Sequence, residues 1–160
     1  MAIDYLLTLK TCNGKIGTTG MCLGGHLAFR GALDPRVSAS FCFFATDIHN
    51  HALGKGGDDS LARCGEIQGE IILVFGEKDN HVPFEGRTLI RQRLHDENVK
   101  HSFIEVYDAQ HAFIRDEASK GRYDPAVTKN CMEWLFELFN RKLKLEYGQQ
   151  SETPAIENVC

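Results

Sequence analysis

The chain has 160 residues, of which 42% are hydrophobic and 25% are charged, as in an ordinary globular domain. Its net charge of −4 gives no broad basic surface, so nucleic-acid binding has no electrostatic support. The longest apolar runs are too short to span a bilayer and the N-terminus lacks the pattern of a signal peptide, so we expect a cytoplasmic protein without membrane partners.

The predicted elements alternate between helices and strands. Two nearly continuous apolar runs, at residues 37–45 and 70–75, are typical of strands buried on both faces of a parallel sheet. Helices and strands in alternation predict the α/β class with a mostly parallel sheet flanked by helices. The predicted order is helix 2–10, strand 15–19, helix from about 25 to 33, strand 37–45, strand 70–75, helix 84–97, strand 102–107 and a final helix that begins at Asp124-Pro125.

Two segments fall outside this alternation. Residues 46–69 are polar, contain five glycines and show little apolar periodicity, which predicts a long surface excursion of the kind that often forms a lid or binding loop. Residues 146–160 are polar and are expected to be disordered. The predicted domain therefore covers residues 1–145.

The cysteines and histidines give little support for a metal site. No two cysteines form C-x-x-C, and Cys42 and Cys131 lie in apolar patterns that indicate core packing. His49 and His51, close to Asp47, lack a third ligand at an informative spacing. We predict neither a metal nor a cofactor.

The main chemical motif is Gly-x-Cys-x-Gly at residues 20–24, between a predicted strand and a predicted helix. This is the setting of a nucleophile elbow, a turn so sharp that the nucleophile has a strained backbone. Cys22 would lie at a helix N-terminus, which favours a thiolate, and the Leu23 N–H would face a developing oxyanion. By itself, the motif also fits a glycine-rich turn with an inert cysteine.

Two further residues occupy positions that suit a base and its partner. Asp79 follows the strand that ends near residue 75, and His111 follows the strand that ends near residue 107. Each alone is more simply a loop residue, but the carboxyl ends of parallel strands meet at one edge of the sheet, where ligands bind. The order nucleophile, acid, histidine is also that of the elbow-containing hydrolases.

Three segments resemble the dienelactone hydrolase family of the α/β-hydrolase fold: GMCLGGHLAF at 20–29, GEKDNHVP at 76–83 and QHAF at 110–113. The resemblance extends to about residue 143. It implies a catalytic triad of Cys22, Asp79 and His111 and a substrate carboxylate held by Arg115; the alternative for Arg115 is a solvated arginine beside two acidic residues. The implied activity is hydrolysis of a lactone or small carboxylic ester without a cofactor, by a monomer or a homodimer.

The chain departs from the family at its N-terminal side. Family members begin with further strands and a helix, which supply a second oxyanion N–H, a glutamate and another arginine. The resemblance therefore predicts an N-terminally truncated α/β-hydrolase domain. The alternative hypothesis is a non-catalytic relative that acts as a binding or interaction domain.

Overall fold

The computed structural model describes residues 2–54, 58–115 and 123–144. Helices and strands alternate over these ranges, which confirms the predicted α/β class. In chain order the elements are α1 (Ala2–Thr8), β1 (Ile16–Met21), α2 (Leu23–Gly31), β2 (Val37–Phe43), β3 (Glu70–Gly76), α3 (Phe84–Asp96), β4 (His101–Val106) and α4 (Pro125–Phe139), with a single 3₁₀ turn at Cys64–Glu66 and a π-helical turn at Asn140–Lys144.

The four strands of the described ranges form one parallel sheet in the order β1-β2-β3-β4. Since all three pairings are parallel, the carboxyl ends of the four strands meet at one edge. The strands β1 and β4 each pair with one described neighbour. This topology places the segments that follow β1, β3 and β4 side by side.

The core lies along the two central strands. Nearly every side chain of β2 and β3 is buried, as their continuous apolar sequences predicted. Cys42 and Cys131 are both fully buried, which confirms that they pack in the core. The described parts of the 46–69 excursion also contribute fully buried side chains, namely Ile48, Leu61 and Cys64. These three residues do not recur at the regular spacing of a helix or strand, so the sequence did not indicate their burial.

The terminal helices differ in how far the structure matches expectation. The helix α4 begins as predicted, with Pro125 at its first turn and the Asp124 carboxylate accepting a hydrogen bond from the Val127 N–H at 3.0 Å. The helix α1 forms, but no residue in it is buried, and Leu6 and Leu7 are exposed. The spacing of apolar residues predicts which face of a helix is apolar, but it does not show whether another part of the protein covers that face.

Within the described ranges, no helix combines the length and the apolar composition that crossing a membrane requires. The predicted disordered tail at 146–160 lies outside the described residues.

Candidate active site

Cys22 lies in the turn between β1 and α2, with φ +57° and ψ −124°. A positive φ is costly for a residue with a side chain, and it persists here because the turn is held on both sides. The Cys22 N–H donates to the Phe43 carbonyl at 3.1 Å, and the Cys22 carbonyl accepts from the His26 N–H at 3.2 Å. The strained elbow that the motif predicted is therefore present.

Two glycines allow the strand and helix to approach closely. A Cβ on Gly20 would lie 2.1 Å from the Gly24 carbonyl oxygen, and one on Gly25 would lie 2.7 Å from the Phe43 carbonyl oxygen. A Cβ on Gly24 would meet no described atom within 4 Å. On the helix side, the described part of the chain therefore leaves no room for a side chain at Gly25 but does leave room at Gly24.

Asp79 and His111 form a buried hydrogen-bonded pair. The His111 Nδ1 lies 2.8 Å from the Asp79 Oδ2, and both side chains are almost inaccessible to solvent. The other carboxylate oxygen, Oδ1, accepts from the backbone N–H groups of His81 at 2.8 Å and Val82 at 3.3 Å. The carboxylate is therefore held from both sides and fixes the orientation of the imidazole ring.

The loops that carry this pair are tied to each other. The Lys78 N–H donates to the Ala109 carbonyl at 2.8 Å, and the Asp108 N–H donates to the Glu77 carboxylate at 3.1 Å. Lys78 and Asp108 also form an ion pair. Residues 76–82 and 107–111 consequently behave as one connected support at the carboxyl ends of β3 and β4.

The pKa of the Cys22 thiol lies below its ordinary value. Partial burial raises this pKa, but hydrogen bonds from His111, the Leu23 N–H and Thr46 lower it by more. Burial likewise lowers the pKa of His111, whereas its hydrogen bonds to Asp79 and Cys22 raise it above the ordinary value. Opposite shifts in two contacting groups favour a thiolate–imidazolium pair.

A cavity of about 450 Å³ opens over the thiol, within the usual size range of small-ligand sites. Cys22, His111 and Arg115, three of the residues singled out from the sequence, lie on its wall, and Asp79 lies behind His111. The remaining lining is mainly apolar and consists of Met21, Phe44, His81, Ala112 and Ile114. The cavity thus combines a mainly apolar wall with the cationic side chain of Arg115.

Three further residues contact the pair or Cys22. Phe44, at φ +34°, packs edge-on against the His111 ring at 5.0 Å, and the His81 ring lies 4.3 Å from the same ring. Thr46 hydrogen-bonds to Cys22. His81 is expected near the pocket because it lies two residues after Asp79, and it does line the cavity. Phe44 and Thr46 reach the site from the end of β2, and the sequence did not indicate them.

The histidines of the 46–69 segment have separate contacts. His51 Nδ1 lies 2.8 Å from Asp59 Oδ1, whereas the His49 ring packs against Gly86 at the start of α3. Across the residues that the structure describes, no group of three histidine, cysteine or acidic side chains could hold a metal ion. The His49 and His51 pair gains no further ligand from the fold.

A second buried histidine connects the elbow helix to the 46–69 segment. The His26 Nε2 lies 2.9 Å from the Ser60 Oγ, and both residues are about 1% exposed. Burial lowers the pKa of His26, and the backbone of Thr46 and the nearby Asp47 offset only part of that effect. Folded His26 therefore takes up a proton at lower pH than the unfolded chain does.

This difference predicts an acid-sensitive stability. Between the folded pKa and the unfolded value of about 6.5, the unfolded chain binds more protons, so the free energy of unfolding falls as the pH drops below about 6.5. We expect His26→Gln, whose amide can still reach Ser60, to reduce that fall. Urea unfolding on either side of this pH measures it, with the exposed His95→Gln as a control. Equal acid sensitivity in His26→Gln and the wild type would contradict the assignment.

The parallel sheet, the strained strand–Cys22–helix elbow and the Asp79–His111 pair at the carboxyl ends of later strands define a domain of the α/β-hydrolase class. The chain belongs to the dienelactone hydrolase family, since the model of that family matches residues 1–143. The resemblance seen in the three sequence segments is thereby confirmed.

Individual relatives agree with this assignment. The chain is 52% identical to a Saccharomyces cerevisiae protein named "Putative carboxymethylenebutenolidase", over all of this chain and 61% of that protein. It is 28% identical to carboxymethylenebutenolidase 1 of Cupriavidus pinatubonensis, over 79% of this chain and 49% of that protein. The chain thus spans about half to three fifths of the length of these curated relatives.

The fold is also found in solved structures. A dienelactone hydrolase-like promiscuous phosphotriesterase from metagenomic libraries matches with a TM-score of 0.71 and 19% identity, over 88% of this chain and 58% of that one. At this level of identity the likeness shows the fold.

Proposed function

We propose that the protein is a cofactor-free cysteine hydrolase that cleaves a lactone or small carboxylic ester. The observation that carries this proposal is the 2.8 Å contact between His111 Nδ1 and Asp79 Oδ2, formed beside a cysteine in a strained elbow. The names of the relatives support the reaction class, since two of them are described as carboxymethylenebutenolidases. Family membership alone would not assign roles to these residues.

The first half of the proposed reaction forms a thioester. The Cys22 thiol transfers its proton to His111, and the thiolate sulfur bonds to the carbonyl carbon of the substrate. The oxyanion accepts a hydrogen bond from the Leu23 N–H, while Asp79 stabilises the imidazolium. The C–O bond then breaks, and His111 gives its proton to the departing alkoxide, which in a lactone stays attached to the acyl group.

The second half restores the thiol. His111, again neutral, takes a proton from a water molecule whose oxygen attacks the thioester carbon. The C–S bond breaks, the carboxylic acid leaves, and the proton returns from His111 to the Cys22 sulfur. Asp79 keeps the same ring orientation in both halves, so one imidazole acts first as base and then as acid.

Arg115 is proposed to bind a carboxylate of the substrate. Its position on the wall of a mainly apolar cavity suits an anionic group at one end of the ligand. A guanidinium can bind a carboxylate through two parallel hydrogen bonds, which fixes both the position and the angle of the substrate. The preferred substrate is therefore a lactone or ester that bears a carboxylate.

We expect Arg115→Gln to lower kcat/KM for a carboxylate-bearing lactone by roughly 10- to 100-fold, the size of a lost charged hydrogen bond. Hydrolysis of the neutral ester 4-nitrophenyl acetate should stay near the wild-type rate, because it has no anionic group. The exposed Arg91→Gln, on α3, is the matched control. Equal losses with both substrates would contradict a role in carboxylate binding.

One observation favours the alternative hypothesis of an interaction domain: α1 exposes Tyr5 and Leu6, and β1 pairs with a single described strand. Exposed apolar side chains beside a sheet edge are typical of surfaces that contact another polypeptide segment. A folded chain that hydrolyses neither 4-nitrophenyl acetate nor a carboxylate-bearing lactone would support this alternative over the hydrolase.

A further inference from the structure

A buried arginine lies beneath the loop that carries Asp79. Arg87, in the first turn of α3, is only 3% exposed, and its guanidinium reaches both sides of that loop. Its Nη1 donates to the Val82 carbonyl at 2.8 Å, and its Nη2 donates to the Glu77 carbonyl at 3.1 Å. The two accepting carbonyls lie on either side of Asp79 in the sequence, so one rigid group spans the acid loop.

The charge of this arginine is balanced within the fold. The Arg87 Nε lies 2.5 Å from Glu105 Oε1, on β4. Burying a guanidinium costs free energy unless it is paired with an opposite charge and its other nitrogens are hydrogen-bonded. Here Glu105 supplies the opposite charge, and the two backbone carbonyls accept the other hydrogen bonds. The guanidinium is therefore anchored to the sheet, and through it the loop is anchored as well.

The contacts continue from the guanidinium to the carboxylate. Val82, whose carbonyl accepts from Arg87, also donates its own N–H to Asp79 Oδ1 at 3.3 Å. The opposite oxygen of Asp79 faces His111 at 2.8 Å. A displacement of Val82 would rotate the carboxylate and lengthen the contact with the imidazole.

We propose that Arg87 is a positioning residue, which clamps the two sides of the Asp79 loop and thereby sets the Asp79–His111 hydrogen bond. This inference deepens the proposed hydrolase, because it names a residue that supports the same pair. It does not require Cys22 to react, since its direct consequence is the geometry of Asp79 relative to His111. Arg87 touches neither the cavity that contains Cys22 nor a reacting atom, and it acts only through the loop.

The test uses Arg87→Lys, with Arg91→Lys as the matched control. Lysine keeps the positive charge and can still pair with Glu105, but a single ammonium group lacks the planar fork that reaches both carbonyls. Arg91 lies on the same helix and contacts the same glutamate at 3.5 Å. Arg91→Lys therefore measures the effect of losing a guanidinium near Glu105 while the contacts of Arg87 with the Asp79 loop remain.

The primary readout is the pKa of the His111 imidazole, measured by nitrogen-15 NMR on the folded 160-residue chain. Because the bond to Asp79 raises this pKa, we expect Arg87→Lys to lower it by about one pH unit, and Arg91→Lys to leave it unchanged. Should Arg87→Lys not fold, Glu105→Gln removes the anchor of the guanidinium and should lower the pKa in the same direction. An unchanged His111 pKa in the folded variant would overturn the proposal.

A second readout separates this inference from the proposed function. The rate at which iodoacetamide alkylates Cys22 is followed as a function of pH by mass spectrometry of the tryptic peptide 16–30, which contains no other cysteine. Suppose that wild-type Cys22 alkylates with the pH dependence of an ordinary thiol while Arg87→Lys still lowers the His111 pKa. This result would contradict the proposed activation of Cys22 and support the positioning role of Arg87. If Cys22 is activated but Arg87→Lys changes only the thermal stability, the positioning role of Arg87 is contradicted and the proposed hydrolase function is not.

Discussion

Replacing Cys22 with alanine is expected to abolish ester hydrolysis, with a loss on the order of 10⁵- to 10⁶-fold. Alanine offers no atom that can bond to the carbonyl carbon. Only the modest rate acceleration from substrate binding and from the Leu23 N–H would remain. Cys22 is only partly buried and alanine keeps its Cβ against the core, so the variant should fold. Steady-state hydrolysis of 4-nitrophenyl acetate, together with thermal unfolding, measures both expectations.

The matched control for this change is Cys12→Ala. Cys12 is a free cysteine in the turn after α1, outside the cavity that contains Cys22. Its replacement should leave the rate unchanged and would show that the loss is specific to one thiol. Wild-type turnover in a folded Cys22→Ala variant would rule out the proposed thioester route.

Replacing His111 with glutamine is expected to lower kcat by about 10²- to 10⁴-fold, the usual contribution of a positioned general acid–base. Glutamine can donate its side-chain amide N–H to Asp79 but cannot take up and return a proton. The same change removes the hydrogen bond that lowers the pKa of Cys22, so that pKa should rise toward its ordinary value.

The pH dependence of alkylation gives an independent measure of this effect. In the wild type, Cys22 should react with iodoacetamide at a pH below that of an ordinary thiol, and in His111→Gln the midpoint should move upward. The exposed His95→Gln should behave like the wild type. An unshifted midpoint in folded His111→Gln would show that this histidine does not activate the thiol.

The sequence predicted the framework because the framework rests on local patterns. The apolar runs of β2 and β3 and the Asp124-Pro125 start of α4 each depend on a few neighbouring residues. Parallel topology then places every strand's carboxyl end at one edge, which is why Cys22, Asp79 and His111 could be expected near one another from their positions after predicted strands.

The rest of the site depends on contacts between distant segments. Arg87 is an ordinary charged residue in a helical pattern, and only the fold shows that its guanidinium is buried against Val82 and Glu77. Thr46 and Phe44 reach the site because β2 lies next to β1. Such contacts depend on strand register and side-chain packing, which no pattern along a single segment records.

The central claim is that Cys22 carries the acyl group, and trapping that intermediate tests it most directly. The chain is mixed with a slowly hydrolysed activated ester, quenched in acid and digested with trypsin, and the fragments are sequenced by mass spectrometry. We predict the acyl mass on Cys22 within the peptide 16–30, formed more slowly in His111→Gln and absent in Cys22→Ala. Turnover with an acyl group on another residue, or with no acyl group on Cys22, would contradict the account.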